Sequence, residues 1–335
     1  MPKLRVALLG AGRIGSFHAR TIAYSVPNAR LAFIADVAGS LAESLAKELE
    51  VERWSDDPLE AIERPDIDAV VIATPGNTHA ALIQAAASAG KHIFCEKPIA
   101  LELPEIDNAL EVVERHGVKL QIGFQRRFDS GFLKARDMIR KGEIGKLYML
   151  RSVTRDPQLP DENYMKTCGG LFRDTMVHDF DIIRFLSGLE VEEIYASGSA
   201  LVDPMVERYQ DVDNAVVVMK LQGGVIATIE NSRQAVYGYD VRAEVLGSEG
   251  AIRIEHSHET PVTHYSRTGV CEDHVYWFIE RFASAYRAEI LSFIRSVIED
   301  TEPAVTGIDG RKATVLGLSA DRSLRTGKPV RVETL

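Results

Sequence analysis

The sequence predicts an α/β protein: an N-terminal doubly wound parallel sheet, followed by an α+β domain in which strands succeed one another without long helices. Three observations predict it. A short apolar run, Leu4 to Leu9, ends in Gly10-Ala11-Gly12-Arg13-Ile14-Gly15 and leads into a helical pattern from Ser16 to Tyr24. Strand-like apolar runs then alternate with helix-like segments as far as Gly123, the pattern of a parallel sheet with helices on both faces. Beyond it, strand-like runs at 147–153, 191–197, 215–221, 225–229, 241–246 and 251–254 suggest a meander, with Gly223-Gly224 and Ser248-Glu249-Gly250 as turns. The 335 residues suit two domains, 1–123 and 124–335.

The net charge of −10, with both signs interspersed, argues against a nucleic acid or an anionic membrane as partner and leaves a small molecule. The three cysteines, Cys95, Cys168 and Cys271, are too few and too far apart for a disulfide framework or a zinc cluster. The apolar run after Lys3 stops at Gly10, too soon for a signal peptide, and no run approaches a membrane span. A reducing cytoplasm is expected.

Strand, glycine turn and helix are the context that makes G-x-G-x-x-G a dinucleotide motif. Gly10 serves the tight turn, Gly12 the approach of the backbone to a pyrophosphate, and Gly15 the packing of helix on strand. The second strand, Leu31 to Ala35, ends in Asp36, twenty-one residues after Gly15. A carboxylate there accepts from adenosine ribose hydroxyls and repels a 2′-phosphate, and Val37-Ala38-Gly39 supplies no arginine to receive one. NAD is therefore preferred over NADP.

A helix follows over 40–49, another over 58–62, and a buried strand over 69–73. The loop Thr74-Pro75-Gly76-Asn77-Thr78-His79 sits at the carboxyl end of that strand, where open α/β sheets bind ligands, with Asn77 or Thr78 as the cap of the helix over 80–89. His79 there faces the cofactor or is structural. The next strand, His92 to Cys95, ends in Glu96-Lys97-Pro98. Lys97 is either a solvated charge or a group that reaches nicotinamide and substrate. A helix over 103–116 and a strand over 119–123 complete the first domain.

In the second half, Gly169-Gly170 precedes Leu171 to Leu186, read as one amphipathic helix on which Asp174 and His178 share a face, one turn apart. Such a pair is either a surface ion pair or a carboxylate that orients an imidazole for proton transfer. The glycines, Asp179 and Asp181 nearby and the upstream cofactor motif favour proton transfer.

Gly10-x-Gly12-x-x-Gly15, Glu96-Lys97-Pro98 and Asp174-x-x-x-His178 together resemble the glucose-fructose oxidoreductase / inositol dehydrogenase / rhizopine-catabolism family of NAD(P)-dependent dehydrogenases. The resemblance spans nearly the whole chain. It is strongest toward the inositol-oxidising members through Gly123-Phe124-Gln125-Arg126-Arg127-Phe128-Asp129, Thr154-Arg155-Asp156-Pro157, His178-Asp179-Phe180-Asp181, Asn231-Ser232-Arg233 and Tyr237-Gly238-Tyr239-Asp240. The resemblance implies a second domain with a large, mostly antiparallel open sheet, a homotetramer, and a last helix that packs back on the first domain. It implies Lys97, Asp174 and His178 as the catalytic group in oxidation of a secondary alcohol of a cyclic polyol. Cofactor contacts are expected from Gly10, Gly12, Arg13, Ile14, Gly15, Asp36, Val37, Thr74, Pro75, Asn77, His79, Glu96, Lys97 and Gln125.

An uncharged polyol calls for a ring of polar side chains making paired hydrogen bonds, so Arg126, Asp156, Thr175, Asp181, Tyr237 and Tyr239 join Lys97, Asp174 and His178 as expected substrate contacts. Arg126 is alternatively an ordinary salt bridge, and the tyrosines sheet packing. No metal is expected, either at His178, Asp179 and Asp181 or at His256-Ser257-His258. Two rivals stand beside the inositol reading: a same-family enzyme for another inositol isomer or a pyranose, and a catalytically inactive NAD-sensing regulator.

Overall fold

The computed structural model describes residues 3–255 and 257–332. The chain divides into two compact units, Met1–Gln125 with Ser284–Lys312, and Arg126–Ala283 with Ala313–Leu335. Each is built around its own sheet.

The first unit opens with β1 (Leu4–Leu9), α1 (Arg13–Ser25), β2 (Ala29–Ala35), α2 (Gly39–Glu48), β3 (Trp54–Ser55) and α3 (Pro58–Glu63). It continues with β4 (Ala69–Ile72), α4 (His79–Ser88), β5 (His92–Glu96), α5 (Leu103–His116) and β6 (Leu120–Gly123). The strands pair in parallel in the order β3-β2-β1-β4-β5-β6. Reversal of strand order at β1/β4 creates the switch point where the loops after β1 and β4 diverge. Every residue of β4 is buried, and so are Val6 to Leu9. Unbroken apolar runs are what a sheet covered on both faces demands. α1 packs tightly on this sheet because Gly15 has no side chain: a Cβ there would collide with the carbonyl oxygen of Gly10.

The second unit carries α6 (Ser130–Arg140), β7 (Leu147–Arg155), α7 (Glu162–Met165), α8 (Leu171–Asp174), α9 (Val177–Ser187), β8 (Val191–Ser199), α10 (Met205–Arg208) and β9 (Asn214–Leu221). After these come β10 (Ile226–Ser232), β11 (Asp240–Gly247), β12 (Ala251–Ile254) and the hairpin β13 (Thr263–Ser266) and β14 (Gly269–Glu272). Two helices, α11 (Phe278–Ile298) and α12 (Gly307–Thr326), and the short β15 (Val330–Arg331) close the chain. The sheet runs β12-β11-β7-β10-β9-β8-β15, antiparallel throughout except where β10 lies parallel to β7. β8, β9 and β10 form the expected meander, turning at Gly223-Gly224. β7 then intrudes between β10 and β11, which the long helical connection from β7 to β8 permits. Helix α9 covers β7 and β10, and α6 packs on α9.

The structure departs from the expected division 1–123 and 124–335 in that residues 124–125 and, more consequentially, 284–312 group with the first unit. The reason is hydrophobic. Ile290, Phe293 and Ile294 of α11 are buried in the same core as Val6, Leu8, Ile22, Ile34 and Phe94, an apolar stripe at helical spacing that covers the parallel sheet. The segment read as one helix over 171–186 is two, α8 and α9, separated by a turn at Thr175-Met176.

Candidate active site

In the first unit, α1 begins at Gly12 with no side chain capping its amides and no acidic residue in its first turn. A Cβ at Gly12 would meet nothing within 4 Å, so the backbone there stands open to an approaching group. Uncapped amides at a helix N-terminus bind anions. Arg13 and Ile14 form the first turn. At the end of β2, Asp36 Oδ2 accepts from the Ala11 amide at 2.6 Å and Oδ1 from the Ala38 amide at 2.8 Å. The carboxylate is thereby pinned beside the glycine turn. Val37, 79% exposed, follows it. A dinucleotide fits this arrangement: open amides for its pyrophosphate and a fixed carboxylate for its ribose hydroxyls.

The loop after β4 is held from within. Thr78 Oγ1 donates to the Pro75 carbonyl at 2.7 Å, which leaves Thr74 to donate to Thr78 across 2.7 Å. Neither Asn77 nor Thr78 supplies a side-chain cap to α4, and Pro75 and Asn77 are exposed. His79 is buried, its ring lying between the carbonyls of Pro98 (2.7 Å) and Thr74 (2.8 Å). Burial lowers its pKa, so the neutral ring donates to one carbonyl at a time. Of the two readings of His79 the structure supports the structural one, a clamp between the β4 loop and the Lys97-Pro98 turn.

Glu96, expected among the cofactor contacts, has its carboxylate engaged inside the first unit. Alternation along β5 turns its carboxylate into the core, where His18 Nε2 lies 2.7 Å from Oε1. Lys97 follows at the carboxyl end of the strand. Gln125 is buried in the 3₁₀ turn Gln125–Phe128.

In the second unit, Asp174 ends α8 and His178 lies in the first turn of α9. The expected single helical face is broken by the intervening turn, whose Thr175 is buried. Asp174 is anchored by groups that sequence spacing did not indicate. Its Oδ1 accepts from the Tyr164 hydroxyl at 2.7 Å, and its Oδ2 from Arg233 Nη1 at 3.3 Å and Nη2 at 3.4 Å. The charge of Asp174 pushes the Tyr164 phenol far up, and it raises the Arg233 pKa against the opposing effect of burial. Asp211 completes the scaffold: its Oδ1 accepts from the Leu171 amide at 2.9 Å at the start of α8, and its Oδ2 stands 4.0 Å from Arg233. Gly170 holds φ +88°, and a Cβ there would stand 2.9 Å from Asp211 Oδ1. The Gly-Gly pair thus serves the approach of α8 to Asp211.

Three expected substrate contacts, Arg126, Asp181 and Tyr239, have other occupations. Arg126, 1% exposed, donates through Nη1 to Asp179 Oδ1 at 2.9 Å and to Thr154 Oγ1 at 3.0 Å. Asp181 accepts a bidentate pair from Arg127, 2.8 Å to Nε and 2.6 Å to Nη2. Both are buried charges, and such charges must be paired. Tyr239 is also buried, edge-on to Phe278 and Phe282, and burial pushes its phenol up to about 12. It packs the sheet, whereas half-exposed Tyr237 accepts from Arg155 and donates to Asp240, each at 2.8 Å. Asp156 is half-buried, its amide bonded to the Ser232 carbonyl. Of the His256-Ser257-His258 run, His256 lies outside the described residues.

Residues 4–124 match the family model described as oxidoreductase family, NAD-binding Rossmann fold, and residues 132–253 the GFO/IDH/MocA C-terminal domain. The chain is 41% identical to the myo-inositol 2-dehydrogenase of Thermotoga maritima, over 98% of this chain and 99% of that one. It is also 41% identical to the scyllo-inositol 2-dehydrogenase (NAD(+)) of Bacillus subtilis, over 99% and 97%. Among solved structures, the scyllo-inositol dehydrogenase of Lactobacillus casei with bound NAD(H) and scyllo-inositol superposes with a TM-score of 0.93 at 31% identity, covering 98% of this chain and 99% of that one.

Arg233→Met leaves the Asp174 carboxylate buried without its cation and should destabilise the protein by about 3–5 kcal/mol, whereas Tyr164→Phe removes one hydrogen bond and should cost about 1–3 kcal/mol. Chemical denaturation measures both. Equal, negligible losses would contradict the anchoring.

Proposed function

Because this chain belongs to the GFO/IDH/MocA oxidoreductase family, we propose that it is an NAD-dependent inositol 2-dehydrogenase that oxidises myo-inositol to the 2-keto product. The observation that carries this reading is the buried anchoring of Asp174 by Tyr164 and Arg233, just before His178. A carboxylate so held offers the imidazole a fixed acceptor. Full-length likeness to inositol enzymes supplies the substrate class. Equal identity to a myo- and a scyllo-inositol enzyme makes scyllo-inositol the second reading.

Within this proposal His178 takes the hydroxyl proton, and Asp174 orients the ring and stabilises its cation. Lys97 hydrogen-bonds the reacting oxygen and steadies its developing charge. Asp156, Thr175 and Tyr237 complete the polar surround. Gly10, Gly12, Arg13, Ile14, Gly15, Asp36, Val37 and the 74–77 loop hold the cofactor, and NAD when bound accepts the hydride. Cys95, Cys168 and Cys271 are free thiols, as a reducing cytoplasm would keep them.

We assign a homotetramer on the exposed face of the second sheet. Cross-strand neighbours share a face, and the register places Tyr195, Val218, Thr228, Arg151, Glu244 and Arg253 in one row across six strands. Met149, Ile226 and Leu246 form the adjoining row. The face is apolar toward one edge and carries the pairs Arg151–Glu230 and Arg253–Glu244 toward the other. A second copy, presenting the same mixture, is its complement. Light scattering should give four chains per particle for the wild type, and Val218→Glu should lower that number; a wild-type monomer would contradict the assignment.

His178→Ala should lower kcat by roughly 10² to 10⁴, the usual worth of a general base, while the NADH dissociation constant moves little. Steady-state turnover of the inositol isomers, with cofactor binding followed by fluorescence, checks it. Full activity in the variant would remove His178 from the chemistry.

A further inference from the structure

Apart from the groups given roles above, the first unit contains a buried acid–imidazole–acid cluster. His18 of α1, Glu96 of β5 and Glu289 of α11 bring one ligating atom each within 4.8 Å of one another. His18 and Glu289 have no exposed surface, and Glu96 has 8%. His18 and Glu96 form a pair at 2.7 Å. Glu289 is different: both of its carboxyl oxygens are buried with no hydrogen-bond partner.

An ionised carboxylate in that position would carry a full charge, without a donor, beside a second carboxylate. Such a group neutralises rather than bear the desolvation cost. Among the described residues no side chain donates a hydrogen bond to it. His18 faces the cluster from α1: its Nε2 is engaged by Glu96, its Nδ1 is buried with no hydrogen-bond partner, and the rings of Phe17, Phe94 and Tyr286 lie around it. Gln121 of β6 donates its amide to the Glu289 backbone carbonyl, not to the carboxyl. A shared metal ion fits poorly, because 2.7 Å between His18 and Glu96 is a hydrogen bond, closer than two ligands of one ion stand. Burial and the neighbouring Glu96 both push the Glu289 carboxyl up.

The cluster also lies under a functional edge. Glu96 is the last residue of β5 and directly precedes Lys97. Its carboxylate is confined from β6 as well, filling the space beside Gly123, where a Cβ would meet Oε2 at 2.9 Å. His18, Gly123 and Glu289 therefore enclose Glu96 from three elements.

We propose that Glu289 is a proton-bearing positioning residue: a neutral carboxyl that closes the His18–Glu96 pair from α11 and so fixes the strand end that presents Lys97. Its functional half rests on the reading of Lys97 as catalytic. Its protonation half does not.

The test compares the wild type with Glu289→Gln by thermal unfolding between about pH 5 and about pH 9. A carboxyl whose folded pKa is raised contributes stability below the unfolded value near 4.5, and that contribution is lost as pH rises toward the folded value, because the unfolded chain releases the proton. Glutamine carries no such burden. The variant should therefore gain on the wild type as pH rises, and unfold at an equal or higher temperature at the alkaline end. The opposite slope, with the variant weaker at alkaline pH and the gap closing on acidification, would overturn the proposal. So would stoichiometric metal in the wild type that is lost in the variant.

For positioning, Glu289→Ala should lower kcat about ten-fold with the NADH dissociation constant within about two-fold, and Glu289→Gln should recover most of the loss. A folded alanine variant with wild-type kcat would refute positioning. If the alanine variant does not fold, the glutamine comparison still decides the protonation. Should Lys97→Ala keep full activity, the proposed role of Lys97 fails while the pH-dependent stability stands.

Discussion

The second unit depends on one buried carboxylate. Asp179 has no exposed surface and gathers four donors: Arg126 (2.9 Å), Ser152 (2.6 Å) and Thr154 (2.8 Å) on Oδ1, and Asn231 (3.0 Å) on Oδ2. These come from the 3₁₀ turn before α6, from β7 and from β10. A buried charge is tolerable only when fully paired, and breaking such a set costs several kcal/mol. Asp179 thereby fixes the rotation of α9 about its own axis. With Asp179 turned to the sheet, the partly buried His178 beside it is held about 100° round the helix from that side. The proposed proton acceptor owes its position to a residue that takes no part in its chemistry.

A second constraint acts on the same turn from the other side. Asp211 seats the first amide of α8 and stands near Arg233, and Arg233 with Tyr164 seats Asp174 at the end of α8. The two networks meet at Thr175-Met176, where the helix breaks. Both charges are satisfied on either side of that break. The geometry of the Asp174–His178 segment is thus dictated by tertiary ion pairing.

The first unit was legible because its signals are local. Glycine spacing, unbroken apolar strands and helices of ordinary length are read off short windows, and each appears within three residues of its expected bounds. The second was legible only in outline. Its strands follow period-2 patterns, but their order depends on β7 entering between β10 and β11, which no local pattern states. Residues 284–312 were assigned to the wrong unit because an amphipathic stripe says that α11 buries a face, not against which sheet.

Among site residues, Arg126 and Asp181 were read toward substrate because polar residues beside a reacting pair invite that reading. The adjacent arginines Arg126-Arg127 and the spaced Asp179 and Asp181 on an otherwise apolar helix held the signal for the alternative: charges on a buried face come in pairs. Tyr164, Asp211 and Arg233 had no such signal, since they meet Asp174 from separate parts of the chain.

The most direct measurement is NADH formation by the purified protein given NAD and, in turn, myo-inositol, scyllo-inositol, D-chiro-inositol, glucose and a sugar acid, with NADP as the cofactor control. Turnover should be strongest on an inositol, myo-inositol first, and much weaker when NADP replaces NAD, because a carboxylate at the proposed ribose contact, Asp36, repels a 2′-phosphate. Turnover confined to a pyranose would overturn the substrate and keep the mechanism. A protein that binds NADH yet oxidises none of them would contradict the central claim that Lys97, Asp174 and His178 form a working alcohol-oxidising group.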